Sequence, residues 1–520
     1  MITRRTLGLA AGVLATAPRI AHAQAAGTLR VAFDAEWTSL DPHFHTFPYN
    51  LSVAGHLFDS LTAHDAAQKA VPRLARSWKP LGTEGWEFSL RDDARFQDGT
   101  PVTAADVVAS VARIRAIRNS PGPLTTVIRP VREVSAKDER TVVFTTSVPT
   151  PMMPDLLTAV FIVPARLAEA TQDDFATGRA QLGSGPFKFV SYARGDRLVL
   201  EPNPTHWGEK PAWSRIELRI VPNAASREAA LQAGDVDFIV NPTTTGVPRL
   251  AADPNFVVHK ATSTRITYLQ VHQGGQPKPD MPGTGGRNPF ADPRVRRAAS
   301  LVIPREAICA RIMDGLAIPA SQIIGPGQSG HDPSLAVEPP DAEAARRLLA
   351  EAGWGNGFDV RLSTPSDRNM NGRRAAEAIA AALTRIGIRV AVNAVPLNVW
   401  VAEWRRGEYS MVLHGAGPVP VPWTLVPQLT GTKDMRAGFG PSNESHYSNA
   451  TLDAVMREAL AEIDTTKREA LLHRAAHTIR EETAVVPLHH EAAVWASRKG
   501  LSFVARSDTL TYATDIKPVG

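Results

Sequence analysis

The chain has 520 residues with 43% hydrophobic and 21% charged side chains, a composition that fits a globular protein and excludes a disordered or collagen-like one. Its length suggests roughly two to four structural units. A single cysteine, Cys309, excludes an intrachain disulfide and a cysteine-cluster metal site.

Residues 1–25 have the pattern of a cleaved export signal. Arg4 and Arg5 precede a short apolar stretch at 7–17, and a small-residue cleavage site predicts a mature start near Gln24. The arginine pair resembles a twin-arginine signal, although such pairs also occur in general secretory leaders. No cysteine follows the apolar stretch and no long apolar run comes later. We therefore expect an exported, periplasmic, soluble protein without a lipid anchor.

The positive charge of the whole chain comes largely from this leader. The formal net charge is +5, and the leader carries three arginines and no acidic residue, which leaves the mature chain at about +2. Lys and Arg are interleaved with Asp and Glu in the rest of the sequence. Because a nucleic-acid partner calls for a concentrated basic stripe, we expect none.

Strand patterns dominate the first half of the mature chain. Alternation predicts strands at 28–33, 86–91, 140–146, 185–192, 196–202, 215–221 and 236–240. Helical spacing predicts helices at 52–61, 103–114 and 224–234. Thr103 and Asp106 form a capping-box pattern at the start of the second of these.

Helix patterns dominate from about residue 290. They predict helices at 293–302, 342–352, 374–386, 452–463 and 466–482, with strands at 388–395 and 485–496. Two extended segments, 265–272 and 487–497, lie where the sequence changes between strand-rich and helix-rich patterns. These patterns predict two unequal α/β lobes with two chain crossings between them.

Five groups of short motifs recur in a characteristic order over about 450 residues. They are 40–43 (LDPH); 74–78 with 86–110; 183–187 (GSGPF) with 203–208 and 230–237; 290–308; and 348–353 with 386–390. This order and spacing resemble those of the extracytoplasmic solute-binding proteins, family 5, which serve peptide- and nickel-type ABC importers.

The resemblance implies a two-lobed periplasmic-binding-protein fold with mixed sheets in each lobe joined by two extended crossing segments. Lobe I would comprise 26–265 and 490–520, with an insert subdomain at 55–180, and lobe II would comprise 266–489. The lobes would close on an unaltered ligand, and the closed form would dock on a membrane permease driven by an ATPase. It implies no catalysis, and we expect no cofactor and a monomer.

Three candidate ligand contacts follow the first predicted strand. Trp37, His43 and His45 lie in a loop that could line the cleft, since loops after strands often contact ligands. The two histidines could alternatively bind nickel or zinc through their imidazoles. A purely structural loop is the other reading, because this motif recurs in family members with different ligands.

Further candidates lie in the second predicted lobe. Arg368, Asn369 and Asn371 fall between a strand and a helix, where they are suited to hold a carboxylate or phosphate. Trp400 and Trp404, four residues apart, could form an aromatic wall of the cleft or pack in the core.

The segment 414–423 departs from the family pattern. Peptide-binding members carry an acidic residue here that binds the peptide α-amine, and Val421 occupies the aligned position. Because valine offers no carboxylate to an ammonium, the departure argues against peptides with a free amino terminus. We still expect the segment to line the cleft, with His414 and Trp423 as contacts.

These features predict a receptor for a small polar solute: a modified peptide, an opine-like or sugar-linked compound, or a metal chelate. An exported hydrolase or metal-dependent enzyme is the alternative, but no nucleophile motif or convergent ligand set is recognisable. His489 and His490 do not supply a metal site easily, because adjacent residues of a predicted strand point to opposite faces. A permease-independent sensor or scavenger is a third reading.

Overall fold

The computed structural model describes residues 26–519 except 277, 279, 369 and 437, so the expected export signal lies outside the described residues. The first elements are β1 (Ala26–Phe33), α1 (Pro48–Leu57), β2 (Thr62–His64), β3 (Ala70–Pro72), β4 (Ala75–Pro80), β5 (Gly85–Leu90), α2 (Ala104–Ala116), β6 (Val131–Asp138), β7 (Thr141–Thr146), α3 (Met153–Leu156) and α4 (Gln172–Ala176).

A small antiparallel sheet forms within this segment, in the order β4-β5-β7-β6. Its alternating strands turn Phe88 and Phe144 toward α2, where they pack with Val107 in a separate apolar core. The capping box predicted at the start of α2 is confirmed, since Asp106 Oδ2 accepts a 2.8 Å hydrogen bond from the Thr103 backbone N–H. This part is a compact unit appended to the first lobe.

The first lobe continues with β8 (Phe187–Ala193), β9 (Arg197–Pro202), β10 (Trp213–Ile220), α5 (Ala224–Ala233), β11 (Phe238–Val240), α6 (Gly246–Ala252) and the long β12 (Phe256–Val271). β1 runs parallel to both β10 and β11. The faces of these strands bury a core that includes Val31, Phe187, Ile216 and Phe238. Gly234 ends α5 in the left-handed conformation, with φ of 82°, which glycine adopts without a steric penalty.

The second lobe contains α7 (Pro293–Leu301), α8 (Arg305–Arg311), β13 (Ala317–Pro319), α9 (Ala342–Glu351), β14 (Phe358–Pro365), α10 (Gly372–Thr384), β15 (Ile388–Val395), α11 (Leu397–Arg405), β16 (Met411–Ala416), α12 (Leu425–Thr430), α13 (Ala450–Ala461) and α14 (Thr465–Glu482). β14 runs parallel to β15 and β16. The predicted helices and strands of this half are confirmed within about two residues at each end, the usual scatter of element boundaries.

The chain then returns to the first lobe through β17 (Val486–Arg498), followed by β18 (Leu501–Phe503) and β19 (Ile516–Pro518). β12 and β17 are the two crossing segments, and they pair with each other antiparallel along most of their length. Within the described residues they join the strands of both lobes into one hydrogen-bonded sheet of eleven strands. The two-lobed α/β fold is therefore confirmed. Strands of both lobes belong to one sheet, and β12 and β17 connect them.

The pairing of β12 with β17 is interrupted where the chain passes between lobes. Thr262 pairs with Ala492 and Ile266 with His490, so three residues of β12 bulge opposite one residue of β17. A bulge of this kind bends and twists a strand. Arg265 lies in this bulge opposite Glu491 of β17, and both residues line the space between the lobes.

Candidate ligand-binding cleft

A cavity of about 680 Å³ lies between the two lobes. Lobe I contributes residues next to β1 and β11, lobe II contributes the loops after β14 and β16, and the two crossing strands form the floor. The volume is in the range of small-molecule sites, which usually occupy clefts between domains.

The strand topology explains why polar groups meet at this cavity. Asp34 directly follows β1 and Asn241 directly follows the parallel strand β11, while Arg368 follows β14 in the other lobe. In open α/β sheets, ligands bind beyond the carboxyl ends of the strands. In this chain the carboxyl ends of strands from both lobes open onto the same cavity.

Four charged side chains line the cavity, and two of them pair with each other. Glu491 Oε2 lies 3.6 Å from Arg265 Nε, and Thr267 Oγ1 donates a 3.2 Å hydrogen bond to Glu491 Oε1. Burial is the largest influence on Glu491 and raises the pKa of its carboxyl group, against the opposing effect of Arg265. The floor of the cavity is therefore an ion pair held partly out of water.

The other two charges, Asp34 and Arg368, have no ion-pair partner among the described residues. Asp34 Oδ2 accepts one hydrogen bond, of 2.8 Å, from Asn241 Nδ2. The Arg368 guanidinium is exposed and makes no hydrogen bond with the described part of the chain. Both charges act on the half-buried Tyr49: its pKa is raised first by burial and then by Asp34, and Arg368 opposes the rise.

A side chamber of about 320 Å³ adjoins the main cavity, since Thr46, Pro48 and Pro418 line both. It lies between α1, the appended unit and the carboxyl-terminal segment. Its charged walls are internally paired: Arg506 lies 2.7 Å from Asp508, and Arg73 lies 2.6 Å from Asp59, which is buried beside the chamber.

The loop after β16 forms the neck between the two spaces. Gly417 has φ of 93°, and a Cβ on it would lie 2.8 Å from Thr264 O in β12. Only glycine fits such a backbone approach without strain. The Val419 N–H donates a 3.1 Å hydrogen bond to Thr264 Oγ1, which holds Pro418 at the junction.

The structure brings Arg368 to the cavity and gives the residues after β1 other contacts. Trp37 is buried in the lobe I core against Phe33. His43 Nε2 donates a 2.7 Å hydrogen bond to Phe161 O, and its Nδ1 accepts from Arg113. Burial lowers the pKa of His43 to about 4, so the ring is neutral near pH 7. Its two nitrogens hold Phe161 and Arg113 in place.

His45 lies one layer behind the cavity wall. It is buried, and its ring stacks on Phe47, with centroids 4.9 Å apart. Phe47 itself lines the cavity. Neither ring nitrogen of His45 has a hydrogen-bond partner among the described residues.

The remaining candidates of lobe II pack beside the cavity. Asn371 precedes α10 and donates a 2.7 Å hydrogen bond to Ile312 O. Trp400 is fully buried and stacks on Trp404 and His414, with centroids 5.3 and 4.4 Å away. Burial, with Arg368 and Arg265 as lesser influences, lowers the pKa of His414 to about 3.

The segment 414–423 contributes to the cavity through its middle. Gly417 and Pro418 line the main cavity, whereas Val421 and Trp423 are buried in a core cluster of lobe II. Trp423 therefore does not line the main cavity as expected. Gly417 and Pro418 form this part of its wall instead.

Sequence reasoning missed Asp34, Tyr49, Asn241 and Glu491. The signal for Asp34 and Asn241 was available, since each is the polar residue directly after a predicted strand. Glu491 is the acidic residue within an otherwise largely apolar crossing strand, next to the two histidines that drew attention instead.

No group of three or more His, Cys, Asp and Glu side chains among the described residues is arranged to hold a metal ion. His489 and His490 are both buried, and burial lowers their pKa values to about 4 and about 3. No helix within the described ranges is long and apolar enough to cross a membrane.

The model of the bacterial extracellular solute-binding proteins, family 5, matches residues 69–436. The chain belongs to this family. Family 5 proteins are substrate-binding proteins of ABC importers rather than enzymes, and this chain is accordingly a solute-binding protein.

Several family 5 proteins are similar over most of the chain. The probable D,D-dipeptide-binding periplasmic protein of Escherichia coli K12 is 29% identical over 451 residues, covering 83% of this chain and 81% of its own. AgaA of A. tumefaciens R10, solved with agropinic acid, is 25% identical with a TM-score of 0.71, covering 95% and 99%. HbpA2 of Haemophilus parasuis is 21% identical with a TM-score of 0.83, covering 94% and 99%, and shows the shared fold.

Proposed function

We propose that this chain captures a peptide-like or other small polar solute between its lobes and delivers it, chemically unchanged, to a membrane permease coupled to an ATPase. The observation that carries the proposal is the 680 Å³ cavity onto which strand ends from both lobes open. A solute held there would touch both lobes at once and stabilise the closed form. The D,D-dipeptide and the agropinic acid in the names of similar proteins are small solutes of this kind.

We further propose that the protein works in the periplasm as a monomer without a lipid anchor, after export by the twin-arginine route. The arginine pair and short apolar stretch of residues 1–25 support export. A similar protein carries the word periplasmic in its name.

The proposed lobe boundaries are 26–265 with 490–520 for lobe I and 266–489 for lobe II, with 55–180 as the insert. Support comes from the β12 bulge at 263–265 and its partner Glu491, because an interrupted ladder is a natural place for bending. Among the predicted contacts, we propose that Arg368 touches the solute, since its guanidinium faces the cavity without a partner in the described chain.

The test combines small-angle scattering with thermal-shift screening of the mature protein against peptides, opines, sugars and nickel chelates. A bound solute should reduce the radius of gyration, and at about 100 times its Kd it should add about 2.7 kcal/mol to the free energy of unfolding. Mass spectrometry of the released solute should show the molecule that was added. A radius of gyration that no stabilising compound changes, or a converted product, would contradict the proposal and favour a rigid protein or an enzyme.

A further inference from the structure

The side chamber is walled almost entirely by the first lobe and its appended unit. Helix α1, the hairpin β2–β3 and the carboxyl-terminal segment 506–515 surround it, and lobe II adds only the loop 418–420. Its volume of about 320 Å³ is sufficient for a small molecule, since such pockets measure about 300–1,000 Å³. The chamber is therefore a compartment of its own, which meets the main cavity at Pro418.

The walls of the chamber are held in place by contacts within the protein. Arg506 Nη2 donates hydrogen bonds of 2.8 Å to His64 O of β2 and of 2.7 Å to Asp508. Gly55 lets the Tyr512 ring lie directly on α1, because a Cβ at that position would collide with the ring. The carboxyl-terminal segment is thus fixed against both the hairpin and the helix. A pocket with such fixed walls needs little ordering when a ligand enters.

The charges in the chamber wall neutralise one another. Each Arg and Asp side chain that lines the chamber has an ion-pair partner: Arg506 lies 2.7 Å from Asp508 and 3.8 Å from Asp515, and Arg73 lies 2.6 Å from Asp59. A charged group that entered the chamber would lose hydration without meeting a free opposite charge, which is costly. The chamber therefore disfavours both cations and anions.

Two polar groups in the wall retain capacity for hydrogen bonds. Within the described chain, the Asp515 carboxylate has only a 3.4 Å hydrogen bond from Thr514 and the 3.8 Å contact with Arg506. The Tyr512 hydroxyl makes no hydrogen bond with a described residue. An apolar ligand would leave both groups facing it without partners. A ligand hydroxyl satisfies either group, because it donates to a carboxylate and accepts from a phenol.

Aromatic side chains supply much of the remaining wall, namely Phe58, Phe161, Trp207 and the ring of Tyr512. Such rings offer apolar faces against which the C–H groups of a sugar ring pack. We infer that the side chamber binds an uncharged, hydroxylated ring with the chemistry of a hexose. The ring is either a free sugar or one end of a larger solute that passes Pro418 into the main cavity. This site goes beyond the proposed function, since it does not depend on what fills the main cavity.

The experiment measures binding to the mature chain by saturation-transfer NMR titrations, which detect weak ligands. The neutral probes are the methyl glycosides of glucose, galactose and mannose. The corresponding uronates carry a negative charge, the corresponding 2-amino sugars carry a positive charge, and cyclohexylmethanol is an apolar ring of similar size. At least one neutral glycoside should bind about tenfold or more tightly than its uronate, its amino sugar and cyclohexylmethanol.

Two variants locate the site. Ala63 of β2 lines the chamber, so Ala63→Leu should fill part of it and weaken the best glycoside about tenfold or more. Asp515→Asn keeps the size of the side chain and should weaken it about tenfold, because a carboxylate is a stronger acceptor than an amide. The controls are Ala67→Leu in the exposed turn of the same hairpin and Asp196→Asn, an exposed acid 3.5 Å from Arg197. Both should leave the affinity unchanged.

Each outcome decides the inference. It is overturned when no neutral glycoside binds, or when a uronate, an amino sugar or cyclohexylmethanol binds as tightly as the neutral glycoside. An affinity that is unchanged in either Ala63→Leu or Asp515→Asn also overturns it. Circular dichroism checks that each variant is folded, and if Ala63→Leu does not fold, Asp515→Asn alone decides.

A last probe separates the two sources of the sugar. If O-β-D-glucopyranosyl-L-serine binds about tenfold or more tightly than methyl β-D-glucopyranoside, the sugar is one end of a larger solute. Otherwise the chamber binds a free sugar. Failure of the glycosides leaves the proposed function standing when another compound closes the lobes in scattering, so the two proposals fail separately.

Discussion

Arg265 and Glu491 lie opposite each other at an interruption of the β12–β17 ladder, with Arg265 Nε 3.6 Å from Glu491 Oε2. Both crossing strands pass between the lobes here, and both side chains point into the cavity. The point at which the sheet bends is therefore also the floor of the proposed binding site. Changes in the charge of this pair should affect stability as well as ligand affinity.

The first prediction concerns the ionisation of Glu491. Burial raises its folded-state pKa above the ordinary value of 4.5, so the folded protein binds a proton that the unfolded chain releases. This contribution to stability is complete below about pH 4.5 and is lost as the pH rises through the folded-state pKa. The loss amounts to about 1.4 kcal/mol for each pH unit that separates the two pKa values.

Glu491→Gln should remove this pH-dependent contribution. Urea unfolding of the wild type and the variant between pH 4.5 and 8 measures it, since Gln keeps the size of the side chain without its charge. The difference in unfolding free energy should shift in favour of the variant as the pH rises. A difference that is constant across this range would show that Glu491 titrates alike in the folded and unfolded chains.

The second prediction concerns the LDPH motif. Asp41 accepts two hydrogen bonds, of 2.7 and 2.8 Å, from Arg113 of α2, and both side chains are almost fully buried. Removing one partner of a buried ion pair leaves the other charge uncompensated, at a cost of about 3–5 kcal/mol. Asp41→Ala should lower the unfolding free energy by that amount, measured by chemical denaturation.

The exposed pair Glu343–Arg347, at 2.8 Å on α9, provides the control. Solvent screens such pairs, so Glu343→Ala should cost no more than about 1 kcal/mol. Equal effects of the two substitutions would mean that the buried Asp41–Arg113 pair contributes no more to stability than an exposed pair.

The elements could be predicted from the sequence because each rests on local periodicity and capping. The capping box of α2 and the strand β15 lie at the predicted positions. α1 begins at Pro48, earlier than the predicted 52, because proline fixes the first turn of a helix without needing its apolar spacing. Periodicity and capping thus predicted the helices and strands, and the family motifs predicted their arrangement in two lobes.

The site could be predicted only in part, because it depends on contacts between distant residues. Arg368 was found from its place after a strand, whereas Asp34 and Asn241 meet across 207 positions of sequence. Trp400 and Trp404 are spaced for one helix face, and spacing alone does not say whether that face meets the cleft or the core. The structure shows that Trp400 is fully buried.

The third prediction concerns His56, which joins α1 to the carboxyl-terminal segment. Its Nδ1–H donates a 2.6 Å hydrogen bond to Ser52 O, and its Nε2 accepts a 2.9 Å hydrogen bond from the Ala513 backbone N–H. A second ring proton would face that N–H. Burial, the largest cause, lowers the pKa of His56 from 6.5 to about 4.

Because the folded-state pKa is the lower one, the unfolded chain takes up the proton first. The contribution of neutral His56 is complete above about pH 6.5 and is lost as the pH falls toward 4. Between pH 7.5 and 5.5 the loss is about 1.4 kcal/mol. The wild type should lose that much more unfolding free energy than His56→Gln over this interval, and parallel pH profiles would contradict the assignment.

The fourth prediction tests whether restoring an acid at position 421 would create a site for a peptide α-amine. Val421 is 6% exposed and packs in the core cluster of lobe II with Trp423 and Leu425. A carboxylate there would be buried among apolar side chains. Val421→Asp should therefore lower the unfolding free energy by more than about 3 kcal/mol, whereas the similarly sized Val421→Thr should cost about 1–3 kcal/mol.

Urea denaturation measures both, and calorimetry with L-alanyl-L-alanine should show no gain in affinity for the aspartate variant. A stable Val421→Asp protein that binds this dipeptide more tightly than the wild type would mean that position 421 opens to the cleft when the solute is bound.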